Sequence, residues 1–228
     1  MLKIIRYSAL ALLLVIGGIW GHAWFSRAPG QGVGAVFAQR LASVFGQQLP
    51  VPSAGGGLQL PPGISLGGPF SLVRQDGLAV TERDYAGQFL LVYFGFTYCP
   101  DVCPTELGRI ADVIDALGPA GARVTPILIT IDPQRDTPAA MADYVSRFHP
   151  RMQGLTGTPE QIRAVASRYR VYFARGQNQD TTHYVMDHSS FVYLVGPDGQ
   201  VQSLFRPETS VEEMARGTAA MLRRLTSS

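Results

Sequence analysis

A chain of 228 residues that is 46% hydrophobic and 16% charged carries enough apolar material for a folded core and is not disordered throughout. The net charge of +2 conceals an asymmetry: residues 1–75 carry five basic and no acidic side chains, and the remainder carries 14 basic and 17 acidic ones. The folded part therefore lacks the basic patch of a nucleic-acid binder, and two cysteines exclude both a disulfide-stapled scaffold and a four-cysteine zinc or iron–sulfur site made by this chain alone.

In chain order, Tyr7–Ser26 is a run of twenty residues without a formal charge. At about 1.5 Å per residue it is long enough to cross a hydrocarbon core of roughly 30 Å. Lys3 and Arg6 precede it, Trp20, Trp24 and Phe25 close it, and no convincing small-x-small cleavage site follows. Residues 1–26 are thus expected to form an uncleaved membrane anchor, with the N-terminus inside and the rest exported. Residues 27–63 have linker composition, with Gly55–Gly57 and prolines 50, 52, 61 and 62. Within them Val36–Phe45 has the spacing of a short amphipathic helix near the membrane. Residues 64–228 form the expected folded domain.

That domain opens with FSLVRQDGLAV, where Gln75-Asp76-Gly77 between two apolar runs predicts a hairpin. Phe89–Phe96 is continuously apolar and reads as a strand buried on both faces. Thr105–Leu117 places Leu107, Ile110, Val113, Ile114 and Leu117 on one helical face, and Gly118-Pro119 ends it. Val124–Ile131 reads as a second buried strand with a peripheral start, since Pro126 cannot donate to a ladder. Helices are expected over Ala139–Phe148, Glu160–Arg168 and Val211–Leu225. Phe191–Val195 and Val201–Phe205 form a strand pair about Pro197-Asp198-Gly199. Strands alternating with helices, then a hairpin and a last helix, predict an α/β domain with a mixed sheet covered on both sides, an order that fits a thioredoxin-like architecture.

Both thiols lie in Thr97-Tyr98-Cys99-Pro100-Asp101-Val102-Cys103-Pro104, between a buried strand and a helix start. A helix N-terminus offers unpaired N–H groups and partial positive charge, which favour thiolate. A spacing of four brings both sulfurs to one side of a turn or helix. The pair is therefore suited to hold a metal, to cycle through a disulfide, or to form a plain structural disulfide. A chelate needs further ligands. His188, just before a core strand, is the first choice and His183, in a polar loop, the second; His149 reads as a surface or capping residue, His22 as a passenger at the membrane boundary, and Met186 as core. Two thiolates and one imidazole suit Cu(I), which accepts three-coordination, whereas Zn(II) takes four ligands.

The run Val92-Tyr93-Phe94-Gly95-Phe96-Thr97-Tyr98-Cys99-Pro100-Asp101-Val102-Cys103-Pro104 closely resembles the copper motif of the Sco/SenC family. Asp132-Pro133-Gln134-Arg135-Asp136-Thr137 and Asp187-His188-Ser189, followed by a strand and Gly196-Pro197-Asp198-Gly199, resemble it too. The resemblance covers about residues 64–226. It implies a membrane-anchored, thioredoxin-fold copper metallochaperone. Such a protein binds copper, as Cu(I) or Cu(II), through Cys99, Cys103 and His188 and passes it to the copper-accepting subunit of cytochrome c oxidase. By the same likeness the Asp132–Thr137 loop lies near the site, where it either helps dock partners or serves as an ordinary turn. Asp187 either tunes His188 or serves a local turn, and Asp101 is read as a solvated loop residue. The expected location is a single-pass inner membrane protein with its domain in the periplasm, ahead of the mitochondrial inner membrane, because no transit peptide precedes the anchor. The alternative is a dedicated thiol–disulfide oxidoreductase that reduces the acceptor's cysteines, with Cys99 attacking and Cys103 resolving. The spacing CxxxC in place of CxxC, and His188-Ser189-Ser190 where such enzymes carry a cis-proline, disfavour a general reductase.

Overall fold

Phe89–Gly95 forms a strand in which all seven residues are buried, as a continuous apolar run requires when both faces of a sheet are covered. The computed structural model describes residues 16–18, 21, 57–61, 63–176 and 184–224. The chain falls into two units, Met1–Val51 and Pro52–Ser228, and the elements below belong to the second. Most of the expected anchor and linker, including the Val36–Phe45 helix, lies outside the described residues. Among those described, no helix is long and apolar enough to cross a membrane.

The strands are β1 (Ser71–Arg74), β2 (Ala79–Thr81), β3 (Phe89–Gly95), β4 (Val124–Thr130), β5 (Gln153–Thr156), β6 (Phe173–Arg175), β7 (Met186–His188), β8 (Val192–Val195) and β9 (Val201–Phe205). The helices are α1 (Val102–Ala116), α2 (Pro138–Val145), α3 (Pro159–Arg168) and α4 (Val211–Arg224). Seven strands make one mixed sheet in the order β2-β1-β5-β4-β3-β8-β9, flanked by the helices in a thioredoxin-like arrangement, and β6 pairs with β7 in a separate two-stranded ribbon. The predicted hairpin forms about Gly77, whose φ of 84° is open to glycine at no steric cost. Thr137 and Thr158 cap α2 and α3 through their hydroxyls, each followed by a proline in the first turn.

Two helix boundaries, the setting of Pro126 and three strands differ from the sequence reading. Helix α1 starts at Val102, three residues before Thr105, so Cys103 lies inside its first turn. Helix α2 stops at Val145, where the chain tightens into turns that carry Ser146 and Phe148. Pro126 is buried within β4, yet β5 pairs only with Ile127–Ile129, so the missing N–H sits before that ladder begins. Strand β5 escapes notice because Gln-Gly-Leu-Thr has no apolar alternation; Gly154 is there because a Cβ would lie 3.0 Å from Met141. Strands β6 and β7 are three residues each, too short for a periodic signal. The outer edge of β9 is covered by Leu58, paired with Leu204, and Gly67 pairs with Gln200 just before the strand begins.

This topology places the site. β3 and β4 are parallel and end together at Gly95 and Thr130. β8 runs antiparallel to β3 with Val192 opposite Tyr93, so the segment entering β8 arrives at the end where β3 gives way to the cysteines.

Candidate metal centre

Cys99 ends the turn that leaves β3, and Cys103 is the second residue of α1. Asp101 is the N-cap by position but makes no side-chain capping bond. Instead the backbone N–H of Cys103 donates to Cys99 Sγ at 3.3 Å, so a sulfur accepts from the helix start where an oxygen ordinarily would. Cys103 is fully buried and Cys99 half-buried, and the two are not bonded to each other. Room for the Cys103 sulfur comes from Gly95, where a Cβ would stand 2.9 Å from that Sγ and 2.9 Å from the Tyr93 ring.

His188 ends β7, opposite Phe173 of β6. Its Nδ1 lies 3.0 Å from the Ser189 carbonyl; a carbonyl only accepts, so Nδ1 carries the hydrogen and the Nε2 lone pair is left for a ligand. Nε2 sits 3.5 Å from Cys103 Sγ. The rings of Tyr93 and Phe96 meet the imidazole edge-on at 5.9 and 6.0 Å between centroids and limit its rotation. The three ligand atoms of Cys99, Cys103 and His188 all lie within 4.8 Å of one another. Two sulfurs and an imidazole nitrogen form a soft set that suits Cu(I); among the described residues no further His, Cys, Asp or Glu joins them to complete a tetrahedral zinc site.

The sulfurs are electrostatically unlike. The Cys99 thiol is drawn down to about 4, chiefly by the hydrogen bond from the Cys103 thiol and further by the N–H groups of Cys103 and Asp101, against the cost of burial. Cys103 is pushed well up, because its thiol proton is donated in a hydrogen bond to the Cys99 thiolate and because it is buried. The metal-free site is thus a thiolate backed by a thiol. Burial also raises the Tyr93 phenol, whose oxygen is 4.0 Å from Cys103 Sγ.

Of the other residues singled out, Asp132 and Asp136 are 3% and 0% exposed, so they present no carboxylate for docking. Asp136 accepts from the N–H and hydroxyl of Thr97 and the hydroxyl of Thr130, tying the cysteine turn to the end of β4. Asp101 and Asp187 are exposed, and His188 is oriented by the Ser189 carbonyl. His149 lies four residues past the end of α2, where it accepts from the Arg151 N–H in a turn and stands 3.6 Å from Asp115, and it does not cap the helix. Met186 packs at the margin of the core. His183 and His22 lie outside the described residues. Sequence reasoning missed Gly95, Tyr93 and Tyr184 as parts of the site. A glycine inside an otherwise bulky buried strand is the one signal that pointed there.

The family model described as SCO1/SenC matches residues 59–223. The human protein "Protein SCO1 homolog, mitochondrial" is 45% identical over 160 residues, which are 69% of this chain and 53% of the human protein. The chain spans about half the length of the first curated relatives it matches. Among solved structures, Arabidopsis thaliana ScoI with copper bound is 40% identical with a TM-score of 0.65, covering 72% of this chain and 99% of that one. Bradyrhizobium japonicum ScoI with copper bound is 43% identical with a TM-score of 0.62, covering 70% and 98% respectively.

Proposed function

The chain belongs to the SCO1/SenC family, and from that premise we propose that it is a copper metallochaperone. It holds Cu(I) between Cys99, Cys103 and His188 and passes it to the copper A site of a cytochrome c oxidase subunit during assembly. The observation that carries this reading is the convergence of three soft donors within 4.8 Å from two separate segments. Copper-bound relatives of the same fold support the choice of metal.

Ligation replaces the proton on Cys103, so binding releases acid and weakens as pH falls. Delivery by ligand exchange needs a reachable sulfur. Cys99 supplies it, half-buried and flanked by the exposed side chains of Tyr98 and Val102, with Tyr172 exposed beside Ser189. In the organisation we propose, residues 1–26 anchor the chain in the inner membrane, 27–63 tether it, and 64–228 work in the periplasm.

Anaerobic Cu(I) titration of the purified chain tests the site. One ion per chain is expected, with affinity lowered sharply in Cys103→Ala and His188→Ala. Wild-type stoichiometry and affinity in both variants refute the three-ligand site.

A second reading is favoured by the thiolate–thiol pair itself: a dedicated reductase of the acceptor's disulfide. The Cys99 thiolate attacks one acceptor sulfur and expels the other as a thiolate. Cys103 then attacks Cys99, releasing a reduced acceptor and leaving an oxidised chain that a thiol reductant must restore. Cys103→Ser then traps a mixed disulfide that Cys99→Ser does not.

A further inference from the structure

The two ligand-bearing segments meet without sharing a ladder. Cys99 and Cys103 leave β3 of the main sheet, whereas His188 ends a ribbon of three-residue strands that stands apart from that sheet. The β3–β8 ladder begins four residues after His188, and the rings of Tyr93 and Phe96 meet the imidazole. Ligand geometry has to be held to within roughly 0.5 Å to be productive, and a further contact ties the two segments. That contact is a side chain of the third motif. The Arg135 guanidinium carbon lies 4.6 Å from the centroid of Tyr98, the residue before Cys99, and 3.6 Å from that of Tyr184, which leads into β7. Its Nη1 donates to the Tyr184 carbonyl at 3.0 Å. Its Nε pairs with Asp132, whose other carboxylate oxygen accepts from the Tyr184 hydroxyl at 2.6 Å. The side chain is 15% exposed, and Nη2 is buried without a hydrogen-bond partner among the described residues, as expected of a guanidinium held by rings as much as by acceptors. The loop that carries it is itself fixed, since Asp132 N–H donates to Thr130 and Asp136 holds Thr97.

We propose that Arg135 is a positioning residue of the metal centre, a brace that ties the cysteine turn to the histidine ribbon and sets the span that the three ligands share. The proposal rests on the reading that Cys99, Cys103 and His188 bind copper together. A lysine cannot replace the brace, because a compact ammonium has neither the flat face for two tyrosines nor the fork that serves Asp132 and the Tyr184 carbonyl at once.

The test uses the full-length chain in detergent, as wild type, Arg135→Met, Arg135→Lys and Arg163→Ala, the last altering an exposed side chain that lines the neighbouring cavity. Three quantities are read: Cu(I) affinity by chelator competition, nitrogen hyperfine splitting in the spectrum of the Cu(II)-loaded chain, and amide exchange of the metal-free chain. Arg135→Met is expected to weaken Cu(I) binding by about 10- to 100-fold, the range for groups that orient ligands. It should also diminish the nitrogen splitting and speed exchange at both Thr97–Cys103 and Tyr184–Ser189, with β3 amides still protected. Arg135→Lys should not rescue these losses, and Arg163→Ala should match wild type. A folded Arg135→Met with wild-type affinity, splitting and exchange overturns the brace. If Arg135→Met does not fold, Arg135→Lys decides in the same way. If the wild type itself shows no nitrogen splitting, the copper reading fails on its own, and exchange in the metal-free chain still decides the tie: faster in both segments upholds it, unchanged in either refutes it.

Discussion

Cys99 and Cys103 are four residues apart and differ because one sulfur accepts hydrogen bonds while the other keeps its proton and donates it in one. The acceptor sits at the surface and the donor in the core, so nucleophilicity and accessibility coincide at Cys99. A depressed pKa keeps the thiolate populated down to about 4, and protonation then quenches it as pH falls further. Iodoacetamide labelling of Cys99, followed by peptide mass spectrometry, should therefore stay nearly constant from about pH 8 to about pH 6. An ordinary thiol slows by roughly 70-fold over that range. Cys103 should remain unlabelled in the folded chain. Equal labelling of the two, or a steep pH dependence for Cys99, contradicts the assignment. At this scale CxxxC before a helix was legible as a pair of reactive thiols. Which sulfur keeps the proton was not, because that depends on a helix that starts three residues earlier than its periodicity shows and takes Cys103 into its first turn.

Among the elements, α1 carries the site at one end and is clamped to the loop before α4 at its middle. Glu106 and Arg109 form a buried ion pair at 2.5 Å, and Arg109 also donates to the carbonyls of Pro207 and Thr209. Burial raises the Glu106 carboxyl against the pull of Arg109, so removing the arginine strands a carboxylate in the core. Arg109→Ala is expected to cost about 3 kcal/mol or more at neutral pH. Arg147→Ala, whose partner Asp143 is exposed, should cost no more than about 1 kcal/mol. Urea denaturation of the two variants measures the contrast. The penalty for Arg109→Ala should shrink in acid, where Glu106 takes up a proton. Long elements were readable from pattern: β3 by its unbroken apolar run, α4 by its amphipathic spacing. Strands β5, β6 and β7 were not, because four and three residues carry no period and their pairing is supplied by neighbours distant in the chain.

For the whole molecule, a metal that bridges two segments joins the turn after β3 to the ribbon that precedes β8. Anything that binds the folded state alone stabilises it by mass action, about 2.7 kcal/mol when free ligand is 100 times its dissociation constant. Anaerobic Cu(I) should thus raise the unfolding midpoint, a chelator should reverse the rise, and His188→Ala should show a smaller one. A midpoint indifferent to Cu(I) argues against a site that spans both segments. The amino-acid order by itself determined the thiol pair, the candidate histidine, the mixed α/β class and the family likeness, because those depend on residue type and local spacing. Only the tertiary structure decided how His188 meets the sulfurs, since Val192 opposite Tyr93 delivers that ribbon to the end of β3. It also decided that Asp132 and Asp136 turn inward as supports, because burial and partner choice belong to the packed chain and not to any window of residues.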